Sequence, residues 1–244
     1  MCTASWRADG GRFSLCFNRD ERRSRKEALP PKLLERSGPR TLAAIDPEGG
    51  GTWLAVNECG LCVYLLNNYA AQARVKPLGE AVSRGKLPLE LSLCLSRESA
   101  NATLLKELDL SCFNPFLIAL ADRSEVSVFA WDGVALLPVE LARPLLTTSS
   151  YKTEEIESYR TKEYERRLAE RSGLTASERF AYHTELAHAD PAFNPLMLRA
   201  DSRTHSVSVV EVDEKGIRYR YARVDQDRRA LGEESVLEIA RARS

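Results

Sequence analysis

Two stretches decide how this chain reads: Met1-Cys2-Thr3 at its start, and Asn18-Arg19-Asp20-Glu21 one short turn later. Between them, Thr3–Ala8 and Arg12–Asn18 read as strands joined at Asp9-Gly10-Gly11, a good hairpin signal. Such a hairpin returns the polar quartet to the beginning of the chain. Removal of Met1, usual before a small side chain, leaves Cys2 with a thiol and a free amine on one carbon. The amine titrates at roughly 7.7–8.0 and the thiol at roughly 8.5, so one can serve as base for the other at neutral pH. A neighbouring arginine would favour the thiolate, and a carboxylate would orient the ammonium. Residues 19 and 20 of a regular strand point to opposite sides. Either a bulge intervenes, which lets Asp20 serve, or Glu21 takes the acidic role.

Working outward, residues 19–40 form a long polar segment broken by Pro30-Pro31, expected to be a solvated loop. A functional alternative makes it a lid whose Arg22, Arg23 and Arg25 attract an anionic ligand. Thr41–Asp46, Thr52–Asn57 and Leu61–Leu66 are further strand candidates. Helical stretches follow at Ala81–Leu95 and Asn101–Leu108, the first interrupted by Gly85 and Pro88. Phe116–Ala121, Glu125–Trp131 and Val134–Leu141 read as a meander. Two helices are expected at Glu154–Arg171 and Ala176–Ala187, the second opened by the capping box Thr175-x-x-Glu178. In the first of them Ile156, Tyr159 and Leu168 turn inward from a solvated face. A last hairpin joins His205–Val212 to Ile217–Val224.

Several segments in this order resemble the NRDE family, which includes the transport and Golgi organization protein 2 homologues. They are Met-Cys-Thr with Asn18-Arg19-Asp20-Glu21, Gly50-Gly51-Thr52-Trp53-Leu54-Ala55-Val56-Asn57, Leu65-Leu66-Asn67-Asn68-Tyr69, Ser83-Arg84-Gly85 and Asn114-Pro115-Phe116. That family in turn is similar to the choloylglycine hydrolase and penicillin acylase group of N-terminal nucleophile hydrolases, whose Asn-Glu-x-Gly-Leu segment is matched by Asn57-Glu58-Cys59-Gly60-Leu61. The resemblance implies an α+β fold over one domain, residues 1–244: a four-layer αββα sandwich of two stacked, mainly antiparallel sheets. It further implies a cysteine hydrolase that cleaves a non-peptide amide through an acyl-enzyme on Cys2, tuned by Arg19 and Asp20. An asparagine would hold the oxyanion. The family's Thr-Asn-Tyr favours Asn68 and the acylase-type Leu-Asn favours Asn67. Trp53 and Asn57 carry over as candidate substrate-binding residues, with Arg199 a candidate for the enzymes' late arginine. The sequence departs from the enzymes at Leu146-Thr147-Thr148-Ser149-Ser150, where Thr148 or Ser149 replaces a second asparagine. That departure suits the alternative, a non-catalytic binding or trafficking protein for a hydrophobic small molecule such as a lipid, acyl-CoA or haem; the family is associated with lipid homeostasis and haem trafficking.

Composition narrows the classes. Lys plus Arg number 35 and Asp plus Glu 35, a balance that argues against a nucleic-acid surface. No apolar run approaches the ~20 residues of a membrane span. Six cysteines without secretory features suggest reduced thiols and a cytoplasmic protein. Cys59-x-x-Cys62 lacks a second pair at metal-ligand distance, and His183, His188 and His205 do not make a metal site. Gly49-Gly50-Gly51 lacks the Lys-Ser/Thr of a phosphate loop and reads as a turn. The expected partner is a small-molecule substrate or a hydrophobic ligand, with no cofactor and no metal.

Overall fold

The computed structural model describes residues 2–75, 81–169, 173–225 and 230–242. Thirteen strands and five helices follow in the order β1(Cys2–Ala8), β2(Phe13–Arg22), β3(Leu29–Leu34), β4(Thr41–Ile45), β5(Leu54–Asn57), β6(Cys62–Asn67), α1(Tyr69–Gln72), α2(Lys86–Leu91), α3(Arg97–Lys106), β7(Phe116–Ala121), β8(Val126–Trp131), β9(Leu136–Pro138), β10(Leu145–Thr148), α4(Thr153–Ala169), α5(Ala176–His183), β11(Ser202–Val212), β12(Gly216–Asp225) and β13(Ala230–Ala240). They build a six-stranded sheet, β10-β1-β2-β11-β12-β13, and a seven-stranded sheet, β3-β4-β5-β6-β7-β8-β9. Every pairing in both sheets is antiparallel.

Side-chain alternation explains why the sheets stack. Cys2, Ala4 and Trp6 of β1 and Phe13, Leu15 and Phe17 of β2 enter one buried cluster with Leu54, Val56, Cys62, Tyr64 and Leu66 of the other sheet. Trp6 and Phe17 meet the Tyr64 ring at 5.8 and 6.4 Å. The alternate residues of β6 and β7, Val63, Leu65, Ile118 and Leu120, pack with Leu87, Leu91 and Leu104 of α2 and α3. A sheet covered on both faces needs apolar residues on both, and so β7 reads Phe-Leu-Ile-Ala-Leu-Ala without a polar break. On the far side, Tyr164 of α4 and Tyr182 of α5 pack with Leu145 of β10. The layers are therefore helix, sheet, sheet, helix.

Three expectations change. Residues 19–40 are not a loop throughout: β2 runs on to Arg22, and β3 carries Pro30-Pro31. β3 is an edge strand whose register to β4 shifts between Leu29 and Lys32, the setting in which a strand tolerates residues that cannot donate. The inward stripe of α4 is Ile156, Arg160 and Tyr164, with Leu168 packed against the same cluster as Tyr164; of the expected residues Tyr159 leaves the stripe, its ring meeting His188 and Phe193 instead. Finally, β10 and β13 are strands at positions where the sequence suggested none. The expected end of the α4 helix, residues 170–171, lies outside the described residues.

Candidate active site

The β1–β2 ladder sets Cys2 opposite Arg19, with no shift in register. On the other side of β1, Cys2 stands opposite Thr148 of β10, and beyond Arg19 comes Ser206 of β11. Thr148, Cys2, Arg19 and Ser206 thus form one transverse row at the end of the sheet. Of this row, Cys2 and Arg19 line a cavity of about 320 Å³, together with Asp46, Trp53, Asn67 and Arg84, among others.

Arg19 is held firmly. It is 4% exposed, its Nη2 donates to Asp46 Oδ2 at 3.3 Å, and its guanidinium lies 4.6 Å over the Trp53 ring. Asp46, in the turn after β4, also accepts from Arg25 Nε at 2.8 Å and Nη2 at 2.6 Å. These bonds, outweighing burial, hold its carboxyl below the usual range. Arg25 further faces Glu21 at 3.8 Å and Glu48 at 3.9 Å. Its charge is answered by protein carboxylates, so the expected role of residues 22–25 as an anion-attracting lid loses its central cation.

Alternation sends Asn18 and Asp20 away from Cys2, towards α4 and α5. Asp20 accepts from Thr204 Oγ1 at 2.6 Å and faces Arg160 Nη1 at 3.7 Å, both side chains fully buried. Burial pushes the Asp20 carboxyl up, and Arg160 opposes it. Arg160 also donates to Thr3 Oγ1 at 3.0 Å and to the Asn194 carbonyl at 2.8 Å, fastening α4 and the 192–194 loop beneath the first strand. Asp20 still reaches the rim of the cavity, as does Glu21. The ladder does carry a bulge, but in β11, between Thr204 and Ser206.

Burial raises the Cys2 thiol to about 11, against smaller opposing contributions that include the Asp20 backbone N–H and Arg19. The row and the cavity wall hold polar groups whose needs the fold leaves unmet. Among the described residues, Arg19 Nη1, Trp53 Nε1, Thr148 Oγ1 and Ser206 Oγ are buried without a hydrogen-bond partner. Such groups are rare in folded proteins because each costs about 1–3 kcal/mol.

The expected residues separate cleanly by position. Cys2, Arg19, Asp20, Trp53 and Asn67 line the cavity. Asn67 Nδ2 donates to the Tyr69 hydroxyl at 2.8 Å. Asn68 caps α1 instead, its Oδ1 accepting from the Ala71 N–H at 3.1 Å. Asn57 is fully buried and braces a turn: its amide donates to the Ser92 and Cys94 carbonyls and accepts from the Cys59 and Leu61 N–H groups. Arg199 donates to Asp201 at 3.0 and 2.9 Å and is not among the lining residues. Asp46, Arg160 and Thr204 carried no signal in the sequence.

Two motifs distant in sequence close one wall. The Thr52 N–H donates to the Gly85 carbonyl at 2.8 Å, and a Cβ on Gly51 would lie 2.3 Å from the Gly85 carbonyl carbon. Only glycine permits that approach. Gly-Gly-Thr-Trp and Ser-Arg-Gly are thereby explained as two sides of one contact.

The family model for transport and Golgi organisation 2 matches residues 1–182. The chain belongs to that family. No curated protein matches it at sequence level. Among solved structures it is similar to a variant of a conjugated bile acid hydrolase from Clostridium perfringens, with a TM-score of 0.54 at 12% identity over 98% of this chain and 92% of that one. It is also similar to the Caenorhabditis elegans orthologue of N-acylethanolamine-hydrolyzing acid amidase, with a TM-score of 0.57 at 9% identity over 86% and 92% of the two chains. At such identity the likeness is one of fold, and the fold is that of N-terminal nucleophile hydrolases. No helix among the described residues is long and apolar enough to cross a membrane.

Proposed function

We propose that this family member is a cysteine N-terminal nucleophile hydrolase acting on a non-peptide amide. The observation that carries the reading is the transverse row: a cysteine at position 2 beside Arg19 and Thr148, with unmet buried donors, where Cys2 and Arg19 line a cavity. After excision of Met1, the Cys2 sulfur attacks the amide carbonyl while the Cys2 α-amine takes the thiol proton. This compensates for burial, because the thiol never has to ionise alone. The carbonyl oxygen gains the negative charge, and Asn67 Nδ2 and Thr148 Oγ1 are the donors assigned to it. Each well-placed donor is worth about 3–4 kcal/mol to such a step. The α-ammonium returns its proton to the departing amine, leaving a thioester. Water, deprotonated by the same amine, then releases the acid and restores the thiol.

Arg19 holds the sulfur's surroundings positive, and Asp20 with Arg160 fixes the end of β2 beneath the new terminus. The runner-up, a carrier of lipid, acyl-CoA or haem, draws less support from a charged cavity of about 320 Å³, at the small end of ligand pockets. A cytoplasmic location accords with six free thiols. The test is intact-protein mass spectrometry with an acyl electrophile. Loss of Met1 and one stoichiometric acyl adduct, absent in Cys2→Ser, are expected. Retained Met1, or an adduct that persists in Cys2→Ser, sinks the mechanism.

A further inference from the structure

Three arginines line the cavity beside Cys2, and they are not equivalent. Arg19 and Arg25 share Asp46. Arg84, in the loop before α2, has no ion pair among the described residues, although Glu21 contributes to its field. It is half-buried, and burial lowers its pKa. One edge of its guanidinium is fixed: Nη1 donates to the Pro115 carbonyl at 2.8 Å and to Gln72 Oε1 at 3.5 Å. Nε and Nη2 have no hydrogen-bond partner among the described residues. The loop that carries it cannot retreat, because Gly85 is pressed against Gly51 and bonded to Thr52. Asn114, which precedes the Pro115 anchor, lines the same cavity.

A cation kept partly out of water without a counter-charge is costly, and its cost is recovered when a ligand brings the missing charge. A planar guanidinium with two adjacent free donors matches a carboxylate in a forked, bidentate arrangement. We infer that Arg84 is an anion subsite, and that the amide cleaved at Cys2 carries a carboxylate on the part of the molecule that reaches the Ser83-Arg84-Gly85 wall. This deepens the hydrolase reading and rests on Cys2 as the attacking atom. It makes the substrate a small anionic amide, of the N-acyl amino acid or half-amide kind, and not a neutral lipid amide.

Iodoacetate and iodoacetamide test it, since they are nearly equal in size and differ in charge. Their alkylation rates at Cys2 are read by peptide mass spectrometry in the full-length protein. The iodoacetate-to-iodoacetamide ratio is expected to fall roughly tenfold in Arg84→Met, with Arg84→Lys, which keeps the charge and loses the fork, in between. Glutarate should protect wild-type Cys2 from iodoacetamide saturably, and more strongly than inorganic phosphate does. A phosphate preference would reassign the subsite to a phosphoryl group and overturn the carboxylate. A ratio unmoved in both variants overturns the subsite altogether. The ratio cancels any change in the reactivity of the thiol itself. It therefore fails separately from the hydrolase reading, which falls if no acyl adduct forms.

Discussion

Thr148 stands directly across the β1–β10 ladder from Cys2, and among the described residues its buried hydroxyl has no hydrogen-bond partner. Thr148→Val keeps the shape and the strand preference while deleting the hydroxyl. Removing an unmet buried group should raise stability by about 1 kcal/mol. If the hydroxyl serves the developing oxyanion, acyl-enzyme formation should slow by about 10–100-fold at the same time. Denaturant unfolding and single-turnover acylation measure the two effects. Higher stability with unchanged acylation would remove Thr148 from the mechanism.

The two neighbouring asparagines should part company. Asn68→Ala deletes a cap and should cost about 1 kcal/mol of stability with little effect on acylation. Asn67→Ala should slow acylation by about 10²–10³-fold with little effect on unfolding. Swapped outcomes would move the oxyanion donor to Asn68.

Asp46 neutralises two arginines, one of them almost wholly buried. Asp46→Asn should destabilise the fold by about 2–3 kcal/mol, because Arg19 then keeps its charge without a carboxylate. The depressed Asp46 carboxyl contributes stability above its unfolded pKa, and that contribution is lost as pH falls through the folded value. The difference between wild type and variant should therefore shrink below about pH 4. Chemical denaturation at pH 7 and pH 3 checks this.

His183 is sealed, with Nε2 on Ser5 Oγ and Nδ1 on Asn18 Oδ1, both at 2.8 Å. Burial, reinforced by Arg179 and Arg160, lowers it from 6.5 to about 3. A depressed histidine gives stability that is complete above the unfolded pKa and drains away as pH falls towards the folded one. Stability should drop by up to about 1.4 kcal/mol per pH unit between pH 6.5 and 3. His183→Gln should start less stable at pH 7 and show a shallower slope across that window. An equal slope would place the titration elsewhere, for instance at His205, which burial lowers to about 4.

Gly51→Ala sets a methyl against the Gly85 backbone. Overpacking of that kind costs about 1–3 kcal/mol, and the displaced wall carries Arg84. The variant should lose thermal stability and, with it, the selectivity of Cys2 for the charged alkylator.

The first hairpin was legible because Asp9-Gly10-Gly11 and the alternation of Ala4 and Trp6 with Thr3 and Ser5 are local signals. The same alternation posed the choice between a bulge that lets Asp20 serve and Glu21 in its place, and the unshifted β1–β2 register sends Asp20 to the face opposite Arg19. Less visible were β3, where prolines hide an edge strand, and β13. The latter is mostly exposed and is held to β12 partly by Arg218–Glu238 and Arg220–Glu234, and its alternation is short, only Leu237 and Ile239 packing against the main core. Cys2 and Arg19 could be found because one turn separates them. Asp46 and Arg160 could not, since their meaning comes from partners 27 and 140 residues away: Arg19 and Asp20. Arg160 resembled a solvated residue of a charged helix and is fully buried, because its partners are the carbonyls of residues 192–194 and the Thr3 hydroxyl, which no helical pattern announces.

Burial pushes the Cys2 thiol up, and a sulfur that keeps its proton is slow to react with peroxide or to enter mixed disulfides. Cys2 should therefore sit low on the oxidation ladder that an exposed thiolate climbs to sulfinate.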